Sequence, residues 1–189
     1  YLIISLGSET YYFDIPGLEK YGLPLKTLLD AVTIQKKVEK IYKEASKTGS
    51  IKIVIGGGGF SGTELAAELT EYRKNLAKRY SRFDLNMEII LIQGSNRLLK
   101  ELNSKASEIA SKRLYNQVRL CFGQRIREVT NRTVKTDSGN TYEYDILIWT
   151  GGVKGNSVLE RSGFSVNSKG KVLVNENLRV IAFENIFAI

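Results

Sequence analysis

Short blocks of β-branched and aliphatic residues alternate with longer stretches whose apolar positions recur at helical spacing. Residues 1–6 read as a strand ending at Gly7. Residues 7–26 read as a loop, broken by Pro16-Gly17 and by Gly22-Leu23-Pro24. A helix is predicted from Thr27, a suitable N-cap, to Lys47, with Thr48-Gly49-Ser50 ending it. Its apolar stripe is Ala31, Ile34, Val38, Ile41 and Ala45, opposite Lys36, Lys40, Lys43 and Lys47. Residues 51–55 form a short strand, glycines 56–59 turn the chain, and a helix is predicted over 61–80. Leu65, Leu69, Tyr72, Leu76 and Tyr80 supply that helix's buried stripe. A strand over 87–92, a helix over 103–116 and a strand over 118–122 follow.

Beyond residue 122 the texture changes. Residues 125–130, 133–136 and 141–144 alternate as short strands, and Asp137-Ser138-Gly139-Asn140 is a hairpin signal between the last two. Residues 145–149 form a continuous apolar run, as in a strand buried on both faces. The tail carries short strand signals near Val172, Val180 and Ile186. The fold class predicted is α/β: a Rossmann-like parallel sheet with helices on both faces and a small inserted antiparallel β-meander. The expected division is a strand and connecting loop (1–26), a nucleotide-binding domain (27–152) and a return segment (153–189).

Composition narrows the chemistry. The 189 residues are 42% hydrophobic and 25% charged, ordinary for a globular protein. No apolar run approaches the ~18 residues of a membrane-spanning helix. There is no histidine, which removes Ser-His-Asp triads, Cys-His pairs and the common zinc sites. No catalytic side chain and no metal ligand set is assigned; reaction chemistry would have to come from a cofactor. The lone Cys121 lies in an apolar segment and reads as a buried thiol. The net charge of +8 could attract nucleic acid. The lysine face and the cluster Arg73, Lys74, Lys78, Arg79 and Arg82 read more simply as a solvated helix face and a helix C-terminus. No aromatic-basic platform accompanies them, so nucleic acid is not the expected partner. The chain opens and closes inside apolar strands and its only methionine is Met87, so it is expected to be an excised domain or fragment.

The motif with chemical content is Gly57-x-Gly59-x-x-Gly62, between a strand and an amphipathic helix. Gly57 makes the tight turn, Gly59 lets a pyrophosphate approach the backbone, and Gly62 lets helix and strand pack closely. The free amides and positive dipole end of the helix would hold the phosphates. Gln93 stands at the end of the second strand, where an acidic residue normally accepts from the adenosine ribose 2′-OH. Gln can still bond a hydroxyl and does not repel a 2′-phosphate. Arg97 could pair with such a phosphate or serve local structure. NADH is the default cofactor and NADPH stays open. Glu64, placed in the first helical turn, has two compatible readings: favourable interaction with the dipole, or a carboxylate accepting from the nicotinamide carboxamide.

The run Gly56-Gly57-Gly58-Gly59-Phe60-Ser61-Gly62-Thr63-Glu64-Leu65-Ala66 resembles the nucleotide-binding segment of the type II NADH dehydrogenases, members of the flavin-dependent pyridine nucleotide-disulfide oxidoreductase superfamily. Residues 1–8 followed by Ile15-Pro16-Gly17 resemble the strand and Pro-Gly that return from the flavin domain. Residues 144–153 resemble the second such strand, beside the nicotinamide, and Asn185-Ile186-Phe187-Ala188-Ile189 resembles the strand before a Gly-Asp flavin contact. The resemblance implies that Gly58, Phe60, Ser61, Thr150, Gly151 and Gly152 join Gly57, Gly59, Gly62, Glu64, Gln93 and Arg97 around NADH or NADPH. It also implies hydride transfer to FAD and on to quinone. FAD belongs to the complete enzyme and is not expected on this chain, which lacks the flavin fingerprint.

Implied partners are the flavin domain of the same polypeptide, quinone and a membrane surface, with a homodimer left open. The implied location is the cytoplasm, or the cytoplasmic membrane face for the complete enzyme. Gln93 departs from the family's acidic residue. Two rivals stand beside this reading: a related flavin reductase serving ferredoxin, a disulfide or a peroxide, and a non-catalytic dinucleotide-binding module.

Overall fold

Residues 1–45 and 49–189 are described in the computed structural model. The chain opens with strands β1 (Leu2–Ile4) and β2 (Ser8–Thr10), a one-turn helix α1 (Leu18–Tyr21) and strand β3 (Leu23–Pro24). The long helix α2 (Leu28–Glu44) leads to β4 (Ser50–Gly56), α3 (Phe60–Tyr80), β5 (Asn86–Gln93), α4 (Ser104–Leu114) and β6 (Arg119–Phe122). Then come β7 (Ile126–Val129), β8 (Thr133–Thr136), β9 (Thr141–Glu143) and β10 (Ile146–Trp149), followed by β11 (Val153–Gly155), α5 (Ser157–Arg161) and β12 (Ile186–Ala188). Two compact units result: residues 12–151, and residues 1–11 together with 152–189.

The larger unit is built on a parallel sheet of order β3-β10-β4-β5-β6. Its inner strands are buried on both faces, which is why Ile51, Ile53, Val54 and Ile55 form a near-continuous apolar run. Alternation then sorts the side chains. Ile53, Ile55, Met87, Ile89 and Leu91 pack with Ile34, Val38 and Tyr42 of α2, Ala66, Leu69 and Leu76 of α3, and Leu114 of α4. Val54, Ile90, Ile92, Cys121 and Leu147 pack instead with Ile126, Val129, Val134 and Tyr142 of the meander. The expected α/β sheet with inserted antiparallel strands is present. Its second face is covered chiefly by the meander, and among the described residues the one-turn α1 is the helix added there, through the fully buried Leu18.

Loop residues 12–26, grouped by pattern with the first strand, belong to the larger unit. Leu23–Pro24 adds an edge strand to β10, and the Pro16 carbonyl accepts from Val129 N–H at 2.9 Å. The hairpin at 137–140 forms as predicted, with Thr136 N–H donating to Asn140 O at 3.0 Å and Gly139 at φ 82°. In the smaller unit, β1 pairs parallel with β12 and β2 antiparallel with β11. Val172 and Val180 contribute single bridges rather than strands. Among the described residues no helix is long and apolar enough to cross a membrane.

Arg82 does more than complement the dipole of its own helix end. Its guanidinium donates to the carbonyls of Tyr42, Lys43 and Ala45 and so caps the C-terminal turn of α2. The predicted helix end at Lys47, and Thr48 of the predicted terminator Thr48-Gly49-Ser50, lie outside the described residues.

Thr27 caps α2 as expected and completes a capping box. Its Oγ1 accepts from Asp30 N–H at 3.2 Å, while Asp30 Oδ2 accepts from Thr27 N–H at 2.7 Å and Lys26 N–H at 2.9 Å. Partial burial works to raise the Asp30 pKa, but the N–H groups of Thr27 and Lys26 outweigh it and hold the carboxyl below the usual aspartate range. A carboxylate with a lowered folded-state pKa stabilises above its unfolded pKa, ~3.9, and that stability is lost as pH falls through the lower folded value. Thr27→Ala is expected to cost about 1 kcal/mol in denaturant unfolding at neutral pH. Asp30→Asn is expected to lie below wild type at neutral pH and to converge with it as pH drops below 4, roughly the unperturbed carboxylate value; a pH-independent gap would contradict the capping role.

Candidate functional site

Parallel pairing brings the C-terminal ends of the sheet strands to one edge. Trp149 of β10 lies opposite Gly56 of β4, which lies opposite Ile92 of β5, and Gln93 lies opposite Phe122 of β6. The glycine turn, Gln93 and Thr150–Gly151 therefore meet there. In doubly wound sheets this edge, where the strand order reverses, is where ligands bind.

The three fingerprint glycines are required for different reasons. Gly57 has φ 109°, and a Cβ on it would sit 2.9 Å from Gly151 Cα and N and from the Thr150 carbonyl carbon. A Cβ on Gly62 would fall 1.9 Å from the Gly57 carbonyl oxygen and 2.6 Å from Thr150 Oγ1. Both positions are closed by the chain itself. Gly59 is different: its φ of −75° suits any residue, and a Cβ there would meet nothing within 4 Å. Among the described residues nothing demands glycine at this position, and the space beside it is open.

Gly59 is also the N-cap of α3, and it offers no side chain to the helix. By contrast, Thr27 caps α2, Asn103 Oδ1 accepts from Ala106 N–H at 2.9 Å to cap α4, and Asn156 caps α5. Thr63 N–H donates to Gly59 O, and among the described residues the amides of Phe60, Ser61 and Gly62 have no acceptor. Unfilled N–H groups at the positive end of a helix suit an anion. The cradle thus fits a pyrophosphate: open space at Gly59, free amides beside it and no acidic residue in the first turn of α3. Phe60 and Ser61 are exposed at this end.

The position of Glu64 corrects one expectation. Because α3 starts at Phe60, Glu64 stands in the second turn, exposed, and the dipole effect that falls off within the first turn no longer explains it. Gln93 does end β5, but its amide is committed. Oε1 accepts from Gly58 N–H at 2.9 Å and Nε2 donates to Ser95 Oγ at 2.8 Å; Ser95 Oγ in turn donates to Arg97 O at 2.7 Å. Leu99 N–H donates to the Gly58 carbonyl at 2.9 Å. The buried Gly58 peptide is therefore gripped at both ends by the loop after β5. Of the two readings of Arg97, the geometry favours local structure, since its guanidinium donates to the carbonyls of Lys100 and Leu102, both at 2.9 Å.

Thr150 ties the two turns together. Its N–H donates to Gly56 O at 2.9 Å and its Oγ1 to Gly57 O at 2.9 Å. A Cβ on Gly151 would strike the Trp149 ring at 2.2 Å, so the indole fills the space a side chain would need. Gly152 begins the smaller unit, where its carbonyl accepts from Tyr11 N–H. Sequence reading missed Ser95, Leu99 and Trp149, whose roles rest on backbone proximity across the sheet edge; no spacing signal marks them.

An edge of this form has the architecture of the doubly wound α/β class. The chain belongs to the pyridine nucleotide-disulphide oxidoreductase family, which it matches over residues 1–189. It is 27% identical over 198 residues to the probable NADH dehydrogenase of Dictyostelium discoideum, covering 99% of this chain and 44% of that protein. It is 24% identical over 197 residues to the type II NADH:quinone oxidoreductase of Staphylococcus saprophyticus, covering 100% of this chain and 49% of that protein. Among solved structures it is similar to NDH2 from Plasmodium falciparum in complex with NADH, with a TM-score of 0.86 and 25% identity over 100% of this chain and 43% of that chain. The chain spans less than half the length of these relatives.

The Gly58 clamp is directly testable. Gln93→Leu removes the acceptor for a buried N–H and is expected to cost about 1–3 kcal/mol in equilibrium unfolding. Gln93→Glu keeps an acceptor for Gly58 and should cost clearly less. Equal losses in the two variants would show that Gln93 does not hold the turn.

Proposed function

We propose that the unit of residues 12–151 binds NADH or NADPH and serves as the nicotinamide nucleotide domain of a flavin-dependent oxidoreductase that reduces quinone. The observation that carries the reading is Gly59: a glycine with ordinary dihedrals and open space, capping a helix whose first amides lack acceptors. Gly57 and Gly62 are explained by internal packing, whereas Gly59 is explained by an external group lying against the backbone. The amides of Phe60, Ser61 and Gly62 bind the pyrophosphate. Thr150 and Gly151, adjoining the turn through the bonds to Gly56 and Gly57, border the nicotinamide side of the edge. In this reading Glu64, exposed one turn into α3, accepts from the carboxamide.

Bound nicotinamide and flavin supply the hydride transfer and the delivery of electrons to quinone. This chain supplies positioning: a glycine turn held by hydrogen bonds, amides fixed by the helix, and no acidic residue in the first turn of α3. The NADH:quinone oxidoreductase relative supports quinone as acceptor. The remaining parts of the reading, a flavin domain in the same polypeptide and action at a membrane surface, rest on the same kinship.

Gly59→Val tests the central step. The variant is expected to stay folded, with a thermal midpoint within a few degrees of wild type, because none of the described residues occupies that space. Its affinity for NADH, measured by calorimetry, should fall at least about tenfold, the loss of ~1.4 kcal/mol of phosphate contact. Unchanged affinity in a folded Gly59→Val would take this turn out of the site.

A further inference from the structure

The region beyond Gln93 holds a cation that the internal structure does not use. Arg125 follows β6 after a short turn. That turn is laced to the end of β5: Gln124 N–H donates to Gln93 O and Gly123 N–H to Ser95 O, both at 3.1 Å. The backbone of Arg125 is fixed from the other side by Asp137, whose Oδ1 accepts from Arg125 N–H at 2.8 Å and whose own N–H donates to Arg125 O at 2.9 Å. The side chain lies across Gly94: a Cβ on that glycine would be 3.0 Å from Arg125 Cγ and 3.4 Å from Nε. Arg125 is exposed, and among the described residues no carboxylate forms an ion pair with it.

The end of the second strand of such a unit is where the adenosine ribose lies. Three features there point to the same ligand group. Gln93 places no negative charge at this position, and its amide is occupied by Gly58 and Ser95. Arg97 is occupied by carbonyls. Arg125 is anchored by its backbone and carries a free planar fork, the geometry that suits a phosphate. Resting on the dinucleotide reading above, we propose that Arg125 is the residue that sets the choice between NADPH and NADH, its guanidinium taking the 2′-phosphate of NADPH. Gly94 belongs to the same device, because a side chain there would displace the arginine stem.

The test is direct binding, with no catalytic readout. NADPH, NADH and the fragment pair adenosine 2′,5′-bisphosphate and ADP are titrated by calorimetry into wild type, Arg125→Ala and Arg125→Lys, with circular dichroism as a fold check. Wild type should bind NADPH at least as tightly as NADH. Arg125→Ala should lose about tenfold or more for NADPH and for the 2′,5′-bisphosphate, with NADH and ADP changing by less than about threefold. Arg125→Lys should recover part of that loss, since it keeps the charge without the fork. As an independent variant, Gly94→Ala, whose Cβ would lie 3.0 Å from Arg125 Cγ, should move the NADH-to-NADPH ratio the same way. If all four ligands weaken together, or none does, Arg125 does not discriminate at the 2′ position and the inference fails while the dinucleotide reading stands. If wild type binds neither NADPH nor NADH, the dinucleotide reading itself fails and takes this inference with it.

Discussion

The close passage of the backbone at Gly56 and Gly57 past Thr150 and Gly151 governs everything at the site edge. Thr150 holds the passage, its N–H donating to Gly56 O and its Oγ1 placed to donate to Gly57 O and Gly56 O, while Gly57 N–H to Ile92 O ties the turn to β5. It leaves no room for side chains on Gly57, Gly62 or Gly151, as the clashes of 1.9 to 2.9 Å show. The chain consequently leaves β4 and enters α3 within a few residues, and the first turn of α3 begins at the sheet edge. A bulkier turn would push α3 away from β4 and uncouple the helix from the core that Ala66, Leu69 and Leu76 make with it.

That geometry has an energetic consequence. Helices stabilise their first amides with side-chain caps, worth ~1 kcal/mol each, and α2 and α4 do so through Thr27 and Asn103. At Gly59 the chain forgoes the cap and leaves the amides to an outside anion. The turn is held instead through Gly58, whose N–H and carbonyl are both satisfied by the loop after β5. The turn is thus rigid where it meets the protein and open where it meets solvent, which is the preorganisation that a phosphate site needs.

Much of this was legible in the sequence because it depends on local pattern. The buried strand, the glycine triplet and the amphipathic helix identified β4, the turn and α3, and the position of Gln93 at the end of β5 followed from strand length. The hairpin at 137–140 was equally plain from its turn residues. What escaped depends on contacts between distant segments. That Gln93 bonds Gly58, and that Arg97 bonds Lys100 and Leu102, are matters of side-chain direction that spacing does not specify. Glu64 fell in the second turn because the helix begins one residue earlier than its apolar stripe suggests. The attachment of residues 12–26 to the sheet through β3 is hidden behind two prolines and two glycines that read as loop.

The central claim is that the first amides of α3 hold a dinucleotide pyrophosphate. Amide-resolved nuclear magnetic resonance of the labelled chain during titration with NADH tests it most directly. The account predicts that the largest shifts fall on Gly59, Phe60, Ser61 and Gly62 and that they saturate together with binding. Saturable binding that leaves these four amides unmoved, with shifts concentrated elsewhere, would contradict it.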